Sequence, residues 1–186
     1  MSDLGDQNLL INDMCLTAHG TAYLCSDSSP ETIVFVHGVG MLGAVWQPQL
    51  NYFSNSYQTL AYDLLGHGKS PMPPEGVSLD DYVEQLNDLV EFLEVSSFYL
   101  VGHSMGAIIS VAFALKYPNK VVALTPLNMV FNRTDKAQLE ALDRANQVLR
   151  NNQILNVEQT LGRWFRHNHN NRSKNIIKVR KWLEQS

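Results

Sequence analysis

Cysteine is scarce in this chain, basic residues are almost missing from its first hundred positions, and no apolar run is long. Of 186 residues only Cys15 and Cys25 are cysteines. Two thiols cannot build a disulfide framework, and neither sits at zinc-ligand spacing, so a stapled mini-domain and a structural zinc site are excluded. They could be neighbours across a hairpin, but free, partly buried thiols are expected. No apolar stretch approaches the roughly 20 residues of a membrane-spanning helix. The amino terminus, Met1-Ser2-Asp3-Leu4-Gly5-Asp6, has acids where a signal peptide needs bases. A cytoplasmic protein with no membrane partner is the expectation. What the chain does have, 45% hydrophobic residues over this length, suffices for one full core.

The missing bases make the charge uneven. Residues 1–100 hold thirteen acids and one base, Lys69, whereas residues 101–186 hold thirteen bases and five acids. Seven of those bases fall within residues 163–181 with no acid among them. Such a run is either a nucleic-acid patch or the solvated face of helices. No binding motif or aromatic interleaving supports the first, so no nucleic-acid partner is expected.

Apolar patterning gives an alternating order. Residues 1–12 form a lead-in, and 13–24 a short hairpin with Gly20 near its turn. Thr32–Val36 is a continuous β-rich run, hence a strand buried on both faces. A short helix over 46–53 and a strand over 57–62 follow. Residues 79–94 carry Leu79, Tyr82, Val83, Leu86, Leu89, Val90 and Leu93 on one helical face, with Ser78 and Asp81 placed as N-cap and partner. Residues 98–101 form a strand, 107–117 an apolar helix stopped by Pro118, and 121–124 a further strand, with Pro126 expected to end regular pairing. Strand and helix in alternation imply an α/β fold, a mostly parallel sheet with helices on both faces. After Asn128 only helices are expected, over 135–150, 157–166 and 173–185. Residues 13–128 therefore read as a core and 129–186 as a partial helical cap.

One motif in this frame carries chemistry. Gly102-His103-Ser104-Met105-Gly106 follows a strand and opens a helix. A serine at such a corner is held in a strained conformation with its hydroxyl pushed outward, and the flanking glycines let strand and helix pass closely; this is a nucleophile elbow. Two further loops precede it, each after a strand: His37-Gly38-Val39-Gly40 and Asp63-Leu64-Leu65-Gly66-His67-Gly68-Lys69-Ser70.

Together the three motifs resemble the α/β-hydrolase family over residues 17–133. The His-Gly-Val-Gly loop, Trp46 with Pro48, Tyr62 to Gly68, and Leu127-Asn128 with Arg133 resemble the enol-lactonase and esterase branch. The resemblance implies an incomplete α/β-hydrolase fold and a serine hydrolase that cleaves a small carboxylic ester or lactone, with no metal or organic cofactor. Ser104 would be the nucleophile. The amide N–H of Met105, at a helix N-terminus, and that of Val39 would form the oxyanion hole. One such donor is worth roughly 3–4 kcal/mol of transition-state stabilisation in comparable enzymes. Trp46, Met129, Val130 and Phe131 would line an acyl pocket or, equally, pack as core. His37 and His67 would shape loops, His103 would point away from the serine, and Asp63 would brace the loop at 66–70. A serine at the elbow argues against dehalogenase or epoxide-hydrolase chemistry, which uses an aspartate there. Perhydrolysis and carbon–carbon cleavage use the same parts and stay open.

The acid and histidine that complete such a triad follow the serine in chain order. After Ser104 the only histidines are His167 and His169, in a polar linker. Asp135 and Asp143 fall in a helix, where Asp135 simply suits the dipole. The expectation is therefore the amino-terminal portion of a longer hydrolase, with its last strand an open sheet edge. The alternative is a non-catalytic binding or interaction protein that keeps the first half of the fold.

Overall fold

A computed structural model of the protein describes residues 13–151, 157–165 and 172–184. The lead-in at 1–12 and the linker histidines His167 and His169 lie outside the described residues.

Six strands form one sheet: β1 (Cys15–Leu16), β2 (Ala22–Cys25), β3 (Thr32–Val36), β4 (Gln58–Tyr62), β5 (Phe98–His103) and β6 (Val121–Leu127). Their order is β1-β2-β4-β3-β5-β6. β1 and β2 form the antiparallel hairpin, β2 runs antiparallel to β4, and β4, β3, β5 and β6 are parallel. Six helices accompany them among the described residues: α1 (Gln47–Phe53), α2 (Leu79–Phe92), α3 (Met105–Lys116), α4 (Asp135–Asn151), α5 (Val157–Trp164) and α6 (Arg172–Leu183).

The period-two alternation of the parallel strands sends side chains to two cores. Val34, Val36, Leu60, Tyr62 and Leu100 pack with Val83, Leu86, Leu89 and Val90 of α2 and Ile109 and Phe113 of α3. Ile33, Phe35 and Ala61 face the other way, toward Trp46 and Leu50. β3 is buried on both faces, which is why its run is unbroken.

α2 begins where its cap chemistry directs. The Ser78 amide and hydroxyl both donate to Asp81 Oδ2 at 2.7 Å. Its inner face differs from the apolar pattern at two positions: Leu79, in the first turn, is exposed, while Gln85 is buried. Gln85 is held there by polar partners, accepting from the Leu65 N–H at 3.0 Å and donating to the Asp63 carbonyl at 3.1 Å. The uneven charge is partly neutralised between neighbours. Lys116 of α3 bridges Asp80 and Glu84 of α2, each at 2.7 Å, and Lys120 pairs with Glu91.

β6 corrects one sequence expectation. It continues through Pro126 to Leu127, with Gly102 opposite Pro126 and His103 opposite Leu127. The Ser104 N–H donates to the Leu127 carbonyl at 2.9 Å, so the polar groups of Leu127 face β5 and those of Pro126 face the open edge. A proline there removes no ladder hydrogen bond. Among the described residues no strand pairs with that outer edge, and Val122 and Leu127 are exposed on it.

Candidate active site

Ser104 sits between β5 and α3 with φ 55° and ψ −115°, a backbone conformation that costs a non-glycine residue energy. The close packing around it explains how the strain is maintained. A Cβ on Gly102 would lie 2.3 Å from the Gly106 carbonyl oxygen, and a Cβ on Gly106 only 2.4 Å from that of Val36. Strand and helix therefore approach to a distance only glycine allows, and the chain must turn within one residue. Met105 is the first residue of α3, so its amide is one of the donors a helix leaves without an intrahelical partner.

The loop after β3 is fixed from below by two histidines and one aspartate. His37 is fully buried; its Nε2 accepts from the Leu64 N–H at 3.0 Å, which leaves Nδ1 to donate to the Gly38 carbonyl at 2.8 Å. Burial holds its pKa down to about 3, so the ring is neutral with both nitrogens engaged and cannot serve as a base. His67 Nε2 accepts from the Gly40 N–H at 3.2 Å while Nδ1 meets the Leu65 carbonyl at 3.1 Å, and burial likewise lowers its pKa. It thus ties the two loops to each other. Asp63 takes the Gly43 N–H at 2.8 Å and the Lys69 N–H at 3.0 Å on its two carboxylate oxygens. Burial raises its pKa, opposed by those same amides. With its neighbours tied, Val39 keeps an amide N–H that makes no hydrogen bond among the described residues.

Ser104 opens into a cleft of about 420 Å³ lined by Gly38, Val39, Met41, His103, Asn128 and Trp164. Of the residues singled out from sequence, the structure brings Ser104 and Val39 together here. The four expected pocket residues stand elsewhere. Trp46 is core: it packs on Phe35 with ring centroids 5.1 Å apart, because its short helical turn lies under the opposite sheet face. Met129, Val130 and Phe131 follow the cleft residue Asn128 but do not line the cleft, and Phe131 is 83% exposed. The positive φ of Asn128, 49°, turns the chain away at the end of β6.

Two cleft residues run against or beyond the sequence expectation. His103 does not point away. A Cβ on Gly38 would lie 3.1 Å from Ser104 Cβ and 3.2 Å from His103 Nδ1, so ring and serine border the same space. Burial lowers the His103 pKa. Trp164 was not singled out; its only signal is an aromatic residue at the end of an amphipathic cap helix. Among the described residues the Ser104 hydroxyl makes no hydrogen bond, and neither Asp135 nor Asp143 lines the cleft.

Comparison with known proteins agrees with this geometry. The family model described as the alpha/beta hydrolase fold matches residues 31–185. The (E)-2-((N-methylformamido)methylene)succinate hydrolase of Acinetobacter baylyi is 33% identical over 150 residues, 81% of this chain and 56% of its own. The 2-(acetamidomethylene)succinate hydrolase of Mesorhizobium japonicum is 35% identical over 62% of this chain and 40% of its own. The chain thus spans about half the length of the curated relatives it matches. Among solved structures, a thermophilic esterase from Thermogutta terrifontis aligns with TM-score 0.76 at 22% identity over 88% of this chain and 61% of that one. The enol-lactonase from Burkholderia xenovorans aligns with TM-score 0.75 at 20% identity over 88% and 64%. At such identities the likeness speaks for the fold alone. With the family pattern running through most of its length, and a relative one-third identical over four-fifths of it, the chain belongs to the α/β-hydrolase fold family.

Proposed function

We propose that this chain carries the nucleophile half of a serine hydrolase that cleaves a small carboxylic ester or lactone through an acyl-enzyme. The observation that carries the proposal is Ser104, held at positive φ in a cleft that Val39 also lines, with Met105 the next residue and the first of α3. Ser104 Oγ attacks the carbonyl carbon and loses its proton to a base; the carbonyl oxygen becomes an oxyanion held by the two N–H groups. Collapse expels the alcohol, which takes the proton, and water then frees the acid from the serine. No metal or organic cofactor is needed for these steps. The acid and histidine come from polypeptide other than the described residues. The greater length of the relatives and the open edge of β6 support that assignment. A cytoplasmic setting belongs to the same proposal, supported by two free thiols.

An amide bond is the second reading, since two relatives are named for hydrolysing amido-substituted methylenesuccinates. The same nucleophile and oxyanion hole would serve it.

A fluorophosphonate probe on the complete gene product tests the proposal. Rapid labelling that maps to Ser104 and disappears in Ser104→Ala is expected, together with a loss of ester hydrolysis of roughly 10⁴-fold or more. A complete product that neither labels nor hydrolyses any ester, lactone or amide would leave the non-catalytic binding protein standing.

A further inference from the structure

Val39 and Trp164 are large apolar residues that the fold leaves 49% and 41% exposed, and both line the Ser104 cleft. They come from separate elements, the loop after β3 and the last residue of α5. Thr160, Leu161 and Trp164 share one face of that helix by their spacing. The first two are buried, while the indole borders open space above the nucleophile. Met41 adds a flexible apolar neighbour. Among the described lining residues none is Lys, Arg, Asp or Glu, and Asn128 offers an uncharged amide as donor and acceptor. An apolar wall of this kind plays no part in acyl transfer itself. Its physical use is to be covered by an apolar group that leaves water.

We infer that Trp164 is a specificity-determining residue, which with Val39 and Met41 holds a short, uncharged apolar acyl chain beside Ser104. The inference rests on the hydrolase reading for its reaction but not for its binding contact. Length of the acyl chain sets how much of the indole is covered, so affinity rises with each added methylene until the cleft is filled. A terminal carboxylate on the same chain would be desolvated there with no Lys or Arg among the described lining residues, only the Asn128 amide and the His103 ring, and is disfavoured.

The test uses the complete gene product with 4-nitrophenyl acetate, 4-nitrophenyl hexanoate and mono-4-nitrophenyl succinate. Wild type should prefer the hexanoate and reject the succinate. Trp164→Ala should collapse the hexanoate-to-acetate ratio of kcat/KM by about tenfold, mostly through KM, the effect of one or two buried methylenes. Trp164→Phe should keep most of the ratio, which separates loss of the contact from loss of the helix. An unchanged ratio in Trp164→Ala, or a preference for the succinate, overturns the inference. Binding of the hexanoate ester to Ser104→Ala, followed by calorimetry, reads the contact without turnover. Binding that weakens with Trp164→Ala in a protein that hydrolyses nothing would sink the hydrolase reading and keep this one. Hydrolysis with a Trp164-independent ratio would do the reverse.

Discussion

The floor of the cleft, residues 37–43 and 102–106, and the late helices α4 to α6, of which α5 supplies a roof through Trp164, differ in how many constraints act on each residue. On the floor the supporting groups are engaged from two sides, and the Val39 N–H and Ser104 hydroxyl are left open to the cleft. His37 uses both ring nitrogens, Asp63 both carboxylate oxygens, and Gly106 lies where a single added carbon would meet the Val36 carbonyl. In the roof, Leu139, Leu142 and Ile177 are more than half exposed, and the Arg180–Glu158 pair is exposed as well. An exposed pair of that kind contributes little to stability. The proposed nucleophile hangs from a strained backbone position and the proposed oxyanion donors are backbone amides, so the floor is defined by steric fit. Among the described residues these helices meet the cleft through Trp164 alone, so their other described side chains can change without disturbing the floor.

The sharpest way to break this contrast is to add volume on the floor. Gly106→Val is expected to cost more than about 4 kcal/mol, enough to prevent folding, because its branches would collide with strand β3. A soluble, cooperatively melting Gly106→Val protein would show that the elbow is looser than its contacts indicate. Next in size is acid lability. The pKa of His37 is about 3 when folded and near 6.5 when unfolded, so the unfolded chain alone takes up a proton as pH falls through that window. Stability is therefore full above about pH 6.5 and is lost below it, by about 2 kcal/mol at pH 5. His67, also lowered, works in the same direction, and Asp63, raised, works against it. Urea unfolding at pH 7 and pH 5 measures the difference, and His37→Gln should flatten it. A profile already flat in the wild type would contradict the neutral buried ring. The smallest effect belongs to the roof: Leu139→Ser, at a position 66% exposed, should shift stability by no more than about 0.5 kcal/mol. A larger loss in thermal melts would mean that another surface covers that helix face.

Much of this was legible from residue order, because the relevant forces are local. A β-rich apolar run is a strand, Ser78 with Asp81 starts a helix, and a serine between spaced glycines marks a strand–helix corner. Misplacements occurred where distant elements decide. Pro126 reads as a strand breaker, yet it lies on the side of β6 with no ladder to break. Trp46 fits a pocket or a core equally in sequence, and the opposite sheet face claims it. His103 is expected to point away from the serine of an elbow, but its ring borders the same space beside Gly38. Gln85 is not part of the apolar face read from the sequence, yet it is buried because Leu65 and Asp63 supply its partners.

By itself, then, the sequence determined the alternation of strands and helices, the elbow at Ser104 and the loops that flank it. Each depends on the conformational limits of a few adjacent residues. Tertiary structure alone decided that His103, Asn128 and Trp164 line the cleft with Ser104 and that Trp46 does not. Those positions depend on how segments far apart along the chain, Val39 and Trp164 among them, meet around Ser104, and no local preference encodes that meeting.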